Sequence, residues 1–130
     1  MNKNLPNSIL QSGSASHITA AAEIINKGGL VAFPTETVYG LGADATNDKA
    51  VAKIFEVKQR PTFNPLIIHF SDKKKVNDIV EIDTKAIKLA KAFWPGALTM
   101  VLPRKKTCNV SLLASAGLKT LAVRVPNHPL

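Results

Sequence analysis

The chain has 130 residues, of which 45% are hydrophobic and 20% charged, a balance that predicts one compact soluble domain and excludes disordered proteins, collagens and two-domain enzymes. Seventeen lysines and arginines against nine acidic residues give a net charge of +8. All nine acidic residues lie at or before Asp83, whereas eight basic residues follow Thr84, so the positive charge is confined to one part of the chain. This distribution favours an anionic partner such as a nucleotide or RNA.

The number of cysteines and the lengths of the apolar runs indicate the cellular compartment of the protein. Cys108 is the single cysteine of the sequence, which excludes an intrachain disulfide and indicates a reducing environment. The first 16 residues contain no apolar stretch long enough for a secretory signal, and no later stretch approaches the roughly 18 apolar residues of a membrane span. We therefore expect a cytoplasmic protein without a membrane segment.

Glycines and prolines separate short apolar runs in the first part of the chain. A helix is predicted from His17 to Lys27, with Ser16 as its N-cap and two following glycines as its stop. The apolar run Leu30–Phe33 ends at a proline and predicts a buried strand. The next segment, PTETVYGLGAD at 34–44, is predicted to be a loop.

The later elements continue the alternation of helices and strands. They begin with a helix from about Asp48 to Val57, capped by Thr46 or Asn47, and a strand Leu66–Phe70. A helix capped by Asp83 or Thr84 and ended by Pro95 follows, and after it an apolar run, Leu98–Leu102. A basic turn at 104–106, a stretch at 109–118 without an assigned element and a strand Leu121–Val125 complete the order. This order predicts an α/β fold with a mixed parallel and antiparallel sheet. The sequence ends at PNHPL, directly after a strand, so we expect the domain to continue beyond residue 130.

Several common sites are excluded, because the sequence has no phosphate-binding GxxxxGK[ST] loop, no GxGxxG, no HExxH and no CxxC. The three histidines, at 17, 69 and 128, are too far apart in sequence to indicate a metal site. We therefore predict no protein-bound metal. Cys108 is interpreted as an inert thiol.

The loop at 34–44 follows a buried strand, where ligand groups gather in α/β sheets. Thr35 and Thr37 alternate with Glu36, so the two hydroxyls can share one face, and Gly40 and Gly42 permit close approach of the backbone. An ordinary glycine-bearing turn is an equally good interpretation of these residues alone.

Lys58 and Arg60 follow directly at the end of the second predicted helix. Because the carboxyl end of a helix repels anions, a phosphate bound here would need these two side-chain cations, and the amide of Asn64 could contact the same ligand. A solvated basic turn is the alternative.

On the last strand, Thr120, Ala122 and Arg124 share one face, and the residues between them face the core. A hydroxyl and a guanidinium on such a face suit a carboxylate or phosphate, because arginine binds these groups bidentately. His69 lies on the polar side of its own strand. Taken alone, each could be a solvent-facing surface residue.

The joint pattern is more specific than its parts. PTETVYGLGAD, KQRPTFNPL followed by LIIHF, FWPGALT and LAVRVPNHP, in this order, closely resemble the YrdC-like family of threonylcarbamoyl-AMP synthases from about Ala20 to Leu130. The resemblance implies a twisted α/β sheet flanked by helices around a basic concave surface. It also implies residues 1–16 as an N-terminal extension and 17–130 as the YrdC-like domain, incomplete at its C-terminal end.

Site roles follow from the resemblance. Thr37, His69 and Arg124 are expected to contact L-threonine, and Arg60, Asn64 and Thr120 to hold ATP. Lys58 and Arg60 match the family's KxR signature, which faces the triphosphate and serves catalysis. The partner SxN segment lies beyond the HP motif in relatives, after the last residue of this sequence.

The implied reaction joins L-threonine, bicarbonate and ATP into threonylcarbamoyl-AMP and pyrophosphate, with Mg²⁺ bound through the nucleotide. The product would serve the tRNA threonylcarbamoyl transferase machinery that makes N6-threonylcarbamoyladenosine. A non-catalytic module that binds double-stranded RNA or tRNA, and an inactive remnant, are the alternatives.

Overall fold

A computed structural model describes residues 12–130; the first 11 residues of the expected N-terminal extension lie outside the described part. Within 12–130 the elements are α1 (Ala15–Asn26), β1 (Val31–Phe33), β2 (Gly40–Gly42), α2 (Asp48–Lys58), β3 (Ile67–His69), α3 (Lys73–Val76), α4 (Thr84–Phe93), β4 (Met100–Pro103) and β5 (Thr120–Arg124). No helix of the described residues has the length and apolar character that crossing a membrane requires.

Two sheets organise these strands. The first is an antiparallel hairpin in which β1 pairs with β2 and Phe33 lies opposite Gly40. The second has the order β3-β5-β4, with β3 parallel and β4 antiparallel to the central β5. The predicted α/β fold with a mixed sheet is confirmed.

The core lies on one face of the three-stranded sheet. Leu121 and Val123 of β5 are 1% and 0% exposed, as their alternation along the strand predicts, and Ile68 of β3 points to the same side. Helices α2 and α4 contribute Val51, Phe55, Ala86 and Ala90 to this cluster. The opposite face carries Thr120, Ala122 and Arg124 and faces away from the core.

Helix ends follow the capping residues of the sequence. The Asn47 side chain accepts a hydrogen bond from the Ala50 N–H, and Asp83 accepts one from Ala86, so both predicted caps are confirmed. The predicted Ser16 cap is wrong: α1 begins earlier, and its N-cap is Ser14, whose side chain makes no capping hydrogen bond. Gly28 has φ 83° and follows the end of α1, as a helix stop requires.

Three elements depart from the sequence-based expectation. The segment 34–44 is not wholly a loop, because Gly40–Gly42 pairs with β1 as strand β2. A four-residue helix, Lys73–Val76, was not predicted; Asp72 caps it through the Lys74 N–H. The predicted strand Leu66–Phe70 is shorter at both ends, with pairing limited to Ile67–His69.

The basic turn after β4 is partly structural. Arg104 donates hydrogen bonds to the Val110 carbonyl at 2.6 Å and to the Ser115 hydroxyl at 3.1 Å. Its backbone N–H donates to the carbonyl of Lys119, and Lys105 donates to the Asn77 carbonyl. Arg104 thus fixes the 109–118 segment against the sheet, and Lys105 links this turn to the end of α3.

Candidate functional site

The loop between β1 and β2 is held by its own hydroxyls. Thr35 Oγ1 donates to the Val38 carbonyl at 2.7 Å and accepts from the N–H groups of Thr37 and Val38. The two hydroxyl oxygens, Thr35 Oγ1 and Thr37 Oγ1, lie 3.0 Å apart. The prediction that the two hydroxyls share a face is therefore confirmed.

Arg124, the last residue of β5, meets this loop. The residue is only 7% exposed. Its Nε donates to the Gly96 carbonyl at 3.2 Å and its Nη1 donates to Thr37 Oγ1 at 3.2 Å. These two bonds fix the plane of the guanidinium and direct it towards the loop.

The third nitrogen of Arg124 has an unusual environment. Nη2 lies 2.7 Å from Glu36 Oε2, which makes a close ion pair. Nη2 is also buried, and it makes no hydrogen bond of good geometry among the described residues. A buried N–H group without an acceptor is costly, so the nearby charge of Glu36 is the main interaction of this nitrogen.

Glu36 bridges the loop to the chain that leaves β5. Its Oε1 accepts a hydrogen bond from the Asn127 N–H at 3.0 Å, while Oε2 faces Arg124. The bond from Asn127, followed by the interaction with Arg124, lowers the pKa of Glu36 to about 2. The carboxylate is therefore charged throughout the physiological range.

His69 lies beside Arg124, because the two residues are opposite each other in the parallel β3–β5 pair. Its Nδ1–H donates to the Ile67 carbonyl at 3.1 Å. The Phe33 ring packs edge-to-face against the imidazole, with the two ring centroids 6.1 Å apart. Burial lowers the pKa of His69, and the positive charge of Arg124 acts in the same direction. The neutral ring with its proton on Nδ1 leaves Nε2 as a free acceptor.

Two glycines permit this arrangement. A Cβ on Gly96 would lie 2.2 Å from the Phe93 carbonyl oxygen, so no other residue fits the turn whose carbonyl receives Arg124 Nε. A Cβ on Gly42 would lie 2.4 Å from the Phe33 ring, which contacts His69. Gly96 thus permits the tight FWPG turn against Phe93, and Gly42 leaves the space that the Phe33 ring occupies beside His69.

A second group of predicted residues lies at the other end of the same strands. Arg60 follows Gln59, which ends α2 in the left-handed conformation with φ 50°. Its Nη2 donates to the Pro65 carbonyl at 2.8 Å and its Nε donates to the Asn64 carbonyl at 3.4 Å. The structure thus places Arg60 against Asn64, and Lys58, at the end of α2, is exposed.

The two groups are arranged along one pair of parallel strands. Thr120 begins β5 and Asn64 precedes β3 by three residues, whereas His69 and Arg124 end the two strands. Thr120 and Arg124 are four positions apart, roughly 13 Å along the strand, and both side chains lie on the sheet face away from the core.

We refer to Glu36, Thr37, His69 and Arg124 as the Arg124 cluster, and to Lys58, Arg60, Asn64 and Thr120 as the Arg60 group. The structure brings Thr37, His69 and Arg124 together, and it also adds Glu36, which was not predicted as a site residue. The available signal was its position between two threonines on one loop face, but the partner lies 88 positions later in the sequence. Among residues 12–130 no group of three or more His, Cys, Asp or Glu side chains could hold a metal ion.

The relatives found by comparison with known proteins agree with one another. Residues 23–130 match the family model Sua5_yciO_yrdC, described as telomere recombination. The threonylcarbamoyl-AMP synthase of Bacillus subtilis (strain 168) is 51% identical over 114 residues, covering 87% of this chain and 33% of that protein. The threonylcarbamoyl-AMP synthase of Pyrococcus abyssi is 52% identical over 112 residues, covering 85% of this chain and 32% of that protein.

Solved structures agree with this result. The crystal structure of P. abyssi Sua5 complexed with L-threonine superimposes with a TM-score of 0.85 at 49% identity, covering 91% of this chain and 34% of that one. E. coli YciO gives a TM-score of 0.76 at 28% identity, covering 86% of this chain and 54% of that one. The chain spans about a third of the length of the B. subtilis and P. abyssi relatives.

Proposed function

Since this chain belongs to the Sua5/YciO/YrdC family, we propose that it carries the L-threonine and ATP sites of a threonylcarbamoyl-AMP synthase. The reaction is the formation of threonylcarbamoyl-AMP and pyrophosphate from L-threonine, bicarbonate and ATP, a nucleotidyl transfer. The observation that carries the proposal is the convergence of three side chains from separate elements, because the Arg124 guanidinium donates to Thr37 Oγ1 and Arg124 lies opposite His69 in the β3–β5 pair.

The Arg124 cluster would bind L-threonine. The Arg124 guanidinium would pair with the amino acid's carboxylate, and its bonds to Gly96 and Thr37 hold it in place before the ligand arrives. The Thr37 hydroxyl and His69 Nε2 would contact the hydroxyl or the amino group of threonine. P. abyssi Sua5 has been solved with L-threonine, and its structure is similar to this one.

The Arg60 group would hold ATP. Arg60, oriented by the carbonyls of residues 64 and 65, and Lys58 would face the triphosphate, while Asn64 and Thr120 would contact the nucleotide. Mg²⁺, bound through the nucleotide, would neutralise part of the triphosphate charge. Because Thr120 and Arg124 share one face of β5 and are roughly 13 Å apart along it, an extended nucleotide held by the Arg60 group could reach the amino acid.

The chemistry needs no protein nucleophile. The threonine amine adds to bicarbonate with loss of water, giving a carbamate. A carbamate oxygen then attacks the α-phosphorus of ATP and expels pyrophosphate, so the carbamate–phosphate bond replaces the phosphoanhydride bond. The chain's side chains would align the two substrates and neutralise charge, which is the larger part of catalysis in phosphoryl-transfer reactions.

We further propose that the product serves the tRNA threonylcarbamoyl transferase machinery in the cytoplasm. A non-catalytic module that binds tRNA or double-stranded RNA is the second candidate, favoured by the eight basic side chains after Thr84. Three of them, Arg104, Lys105 and Arg124, donate hydrogen bonds within the chain and are therefore less available for phosphate contacts.

The test is pyrophosphate release by the protein that contains this chain. Release should require L-threonine, bicarbonate and ATP together, and at ATP concentrations below saturation Arg60→Ala should reduce it about tenfold. Release that is unchanged in the Arg60→Ala protein would remove Arg60 from the site. Release without L-threonine would contradict the proposed reaction.

A further inference from the structure

The Arg124 cluster contains a negative charge that a carboxylate site does not need. Glu36 Oε2 lies 2.7 Å from Arg124 Nη2, so the cluster presents a cation and an anion next to each other. A site built for a simple anion would keep a carboxylate away from its arginine, because like charges repel. A paired plus and minus instead complement a zwitterion, which carries a carboxylate and an ammonium on neighbouring atoms.

The two charges differ in accessibility. The Arg124 side chain is 8% exposed and its Nη2 is buried, whereas the Glu36 side chain is 24% exposed, so the carboxylate is the more accessible of the two charges. Glu36 Oε1 accepts one hydrogen bond, from the Asn127 N–H, and Oε2 faces Arg124 Nη2. A carboxylate can accept about four hydrogen bonds, so acceptor positions remain for an ammonium group.

We infer that Glu36 is a specificity-determining residue that binds the ammonium group of an α-amino acid whose carboxylate is bound by Arg124. This inference rests on the proposed function, because it assumes that the Arg124 cluster binds L-threonine. It adds a reason for the site to select an amino acid over a hydroxy acid of the same shape. The bond from Asn127 holds the carboxylate in position before the ligand binds.

The experiment compares two ligands that differ only in the amino group. Calorimetry measures the dissociation constants of L-threonine and of (R)-3-hydroxybutanoate, which is threonine without its amino group, for the wild-type chain. We expect L-threonine to bind at least about tenfold more tightly, as a charged hydrogen bond predicts. Equal binding of the two ligands overturns the inference without any variant. Failure of L-threonine to bind the wild type overturns the proposed threonine site as well.

The matched variant is Glu36→Gln, which keeps an oxygen for the Asn127 N–H but removes the charge. The preference for L-threonine over 3-hydroxybutanoate should fall about tenfold, and Glu36→Asp, which restores the charge, should recover part of it. If both ligands weaken or strengthen by the same factor, Glu36 acts only through Arg124 and the inference is overturned. Glu81→Gln is the control, because Glu81 is exposed and its carboxylate makes no hydrogen bond within 12–130; its preference should equal that of the wild type.

Discussion

The Arg124 cluster and the Arg60 group lie at opposite ends of the same two strands, yet they are held in different ways. Arg124 is fixed by partners 28 and 87 residues away, and Glu36 by a partner 91 residues away. Arg60 is oriented by carbonyls only four and five residues away. A small amino acid needs a rigid site that the whole fold assembles, whereas the long triphosphate of ATP suits accessible cations on a local turn.

The largest expected effect comes from a substitution in the Arg124 cluster, the more rigid of the two sites. Arg124→Met removes the buried guanidinium while keeping an apolar side chain, and it should weaken L-threonine binding at least about 100-fold, because a buried hydrogen-bonded charge contributes ~2–5 kcal/mol to binding. Calorimetry with L-threonine measures the loss.

Arg104→Met is the matched control for this variant. Arg104 also donates hydrogen bonds inside the fold, but these fix the 109–118 segment rather than the Arg124 cluster. L-Threonine affinity should stay within about twofold of the wild type, while the melting temperature falls. Equal loss of binding in both variants would mean that Arg124 acts by general stability alone.

Strand β2 offers a smaller test of the same rigidity. A Cβ on Gly42 would lie 2.4 Å from the Phe33 ring, whereas one on Gly40 would lie 3.6 Å away, which is ordinary contact. Gly42→Ala should therefore lower the free energy of unfolding by about 1–3 kcal/mol through overpacking. Gly40→Ala should have clearly less effect in the same denaturant titration, and equal effects would show that Phe33 does not limit the strand.

At the accessible end, Arg60→Ala should weaken ATP binding about tenfold, the loss expected for one charged hydrogen-bonding partner in contact with solvent. L-Threonine affinity should not change, because Arg60 contacts none of the Arg124 cluster's residues among its hydrogen bonds. Titration of each ligand separately checks both statements. A parallel loss of threonine affinity would contradict the separation of the two groups.

This contrast also explains what could be predicted from the sequence. The Arg60 turn is local, so the end of α2 and the cations after it were predicted directly from residues 48–60. The β5 face that carries Thr120 and Arg124 was predicted from alternation alone, since a strand's period is fixed. Capping by Asn47 and Asp83 was predicted for the same local reason.

The unpredicted features depend on contacts distant in sequence or on very short segments. Strand β2 has the sequence Gly-Leu-Gly, which has weak intrinsic strand preference and pairs because Phe33 packs over its glycines. Helix α3 is a single turn of four residues, too short for a periodic pattern. The pairing of Glu36 with Arg124 joins residues 88 positions apart, and no local spacing indicates it.

The smallest expected effect is a change in how stability depends on pH. The pKa of Glu36 is lowered to about 2 in the folded chain, so its contribution is complete above its ordinary pKa of 4.5 and is lost as the pH falls towards 2. The melting temperature of the wild type should therefore exceed that of Glu36→Gln at pH 5, and the difference should shrink at pH 3. His69, whose pKa is lowered from 6.5 mainly by burial, destabilises both proteins on acidification, so its effect largely cancels in this difference. A melting-temperature difference that stays constant from pH 5 to pH 3 would mean that the charge of Glu36 does not stabilise the contacts that join its loop to Asn127 and Arg124.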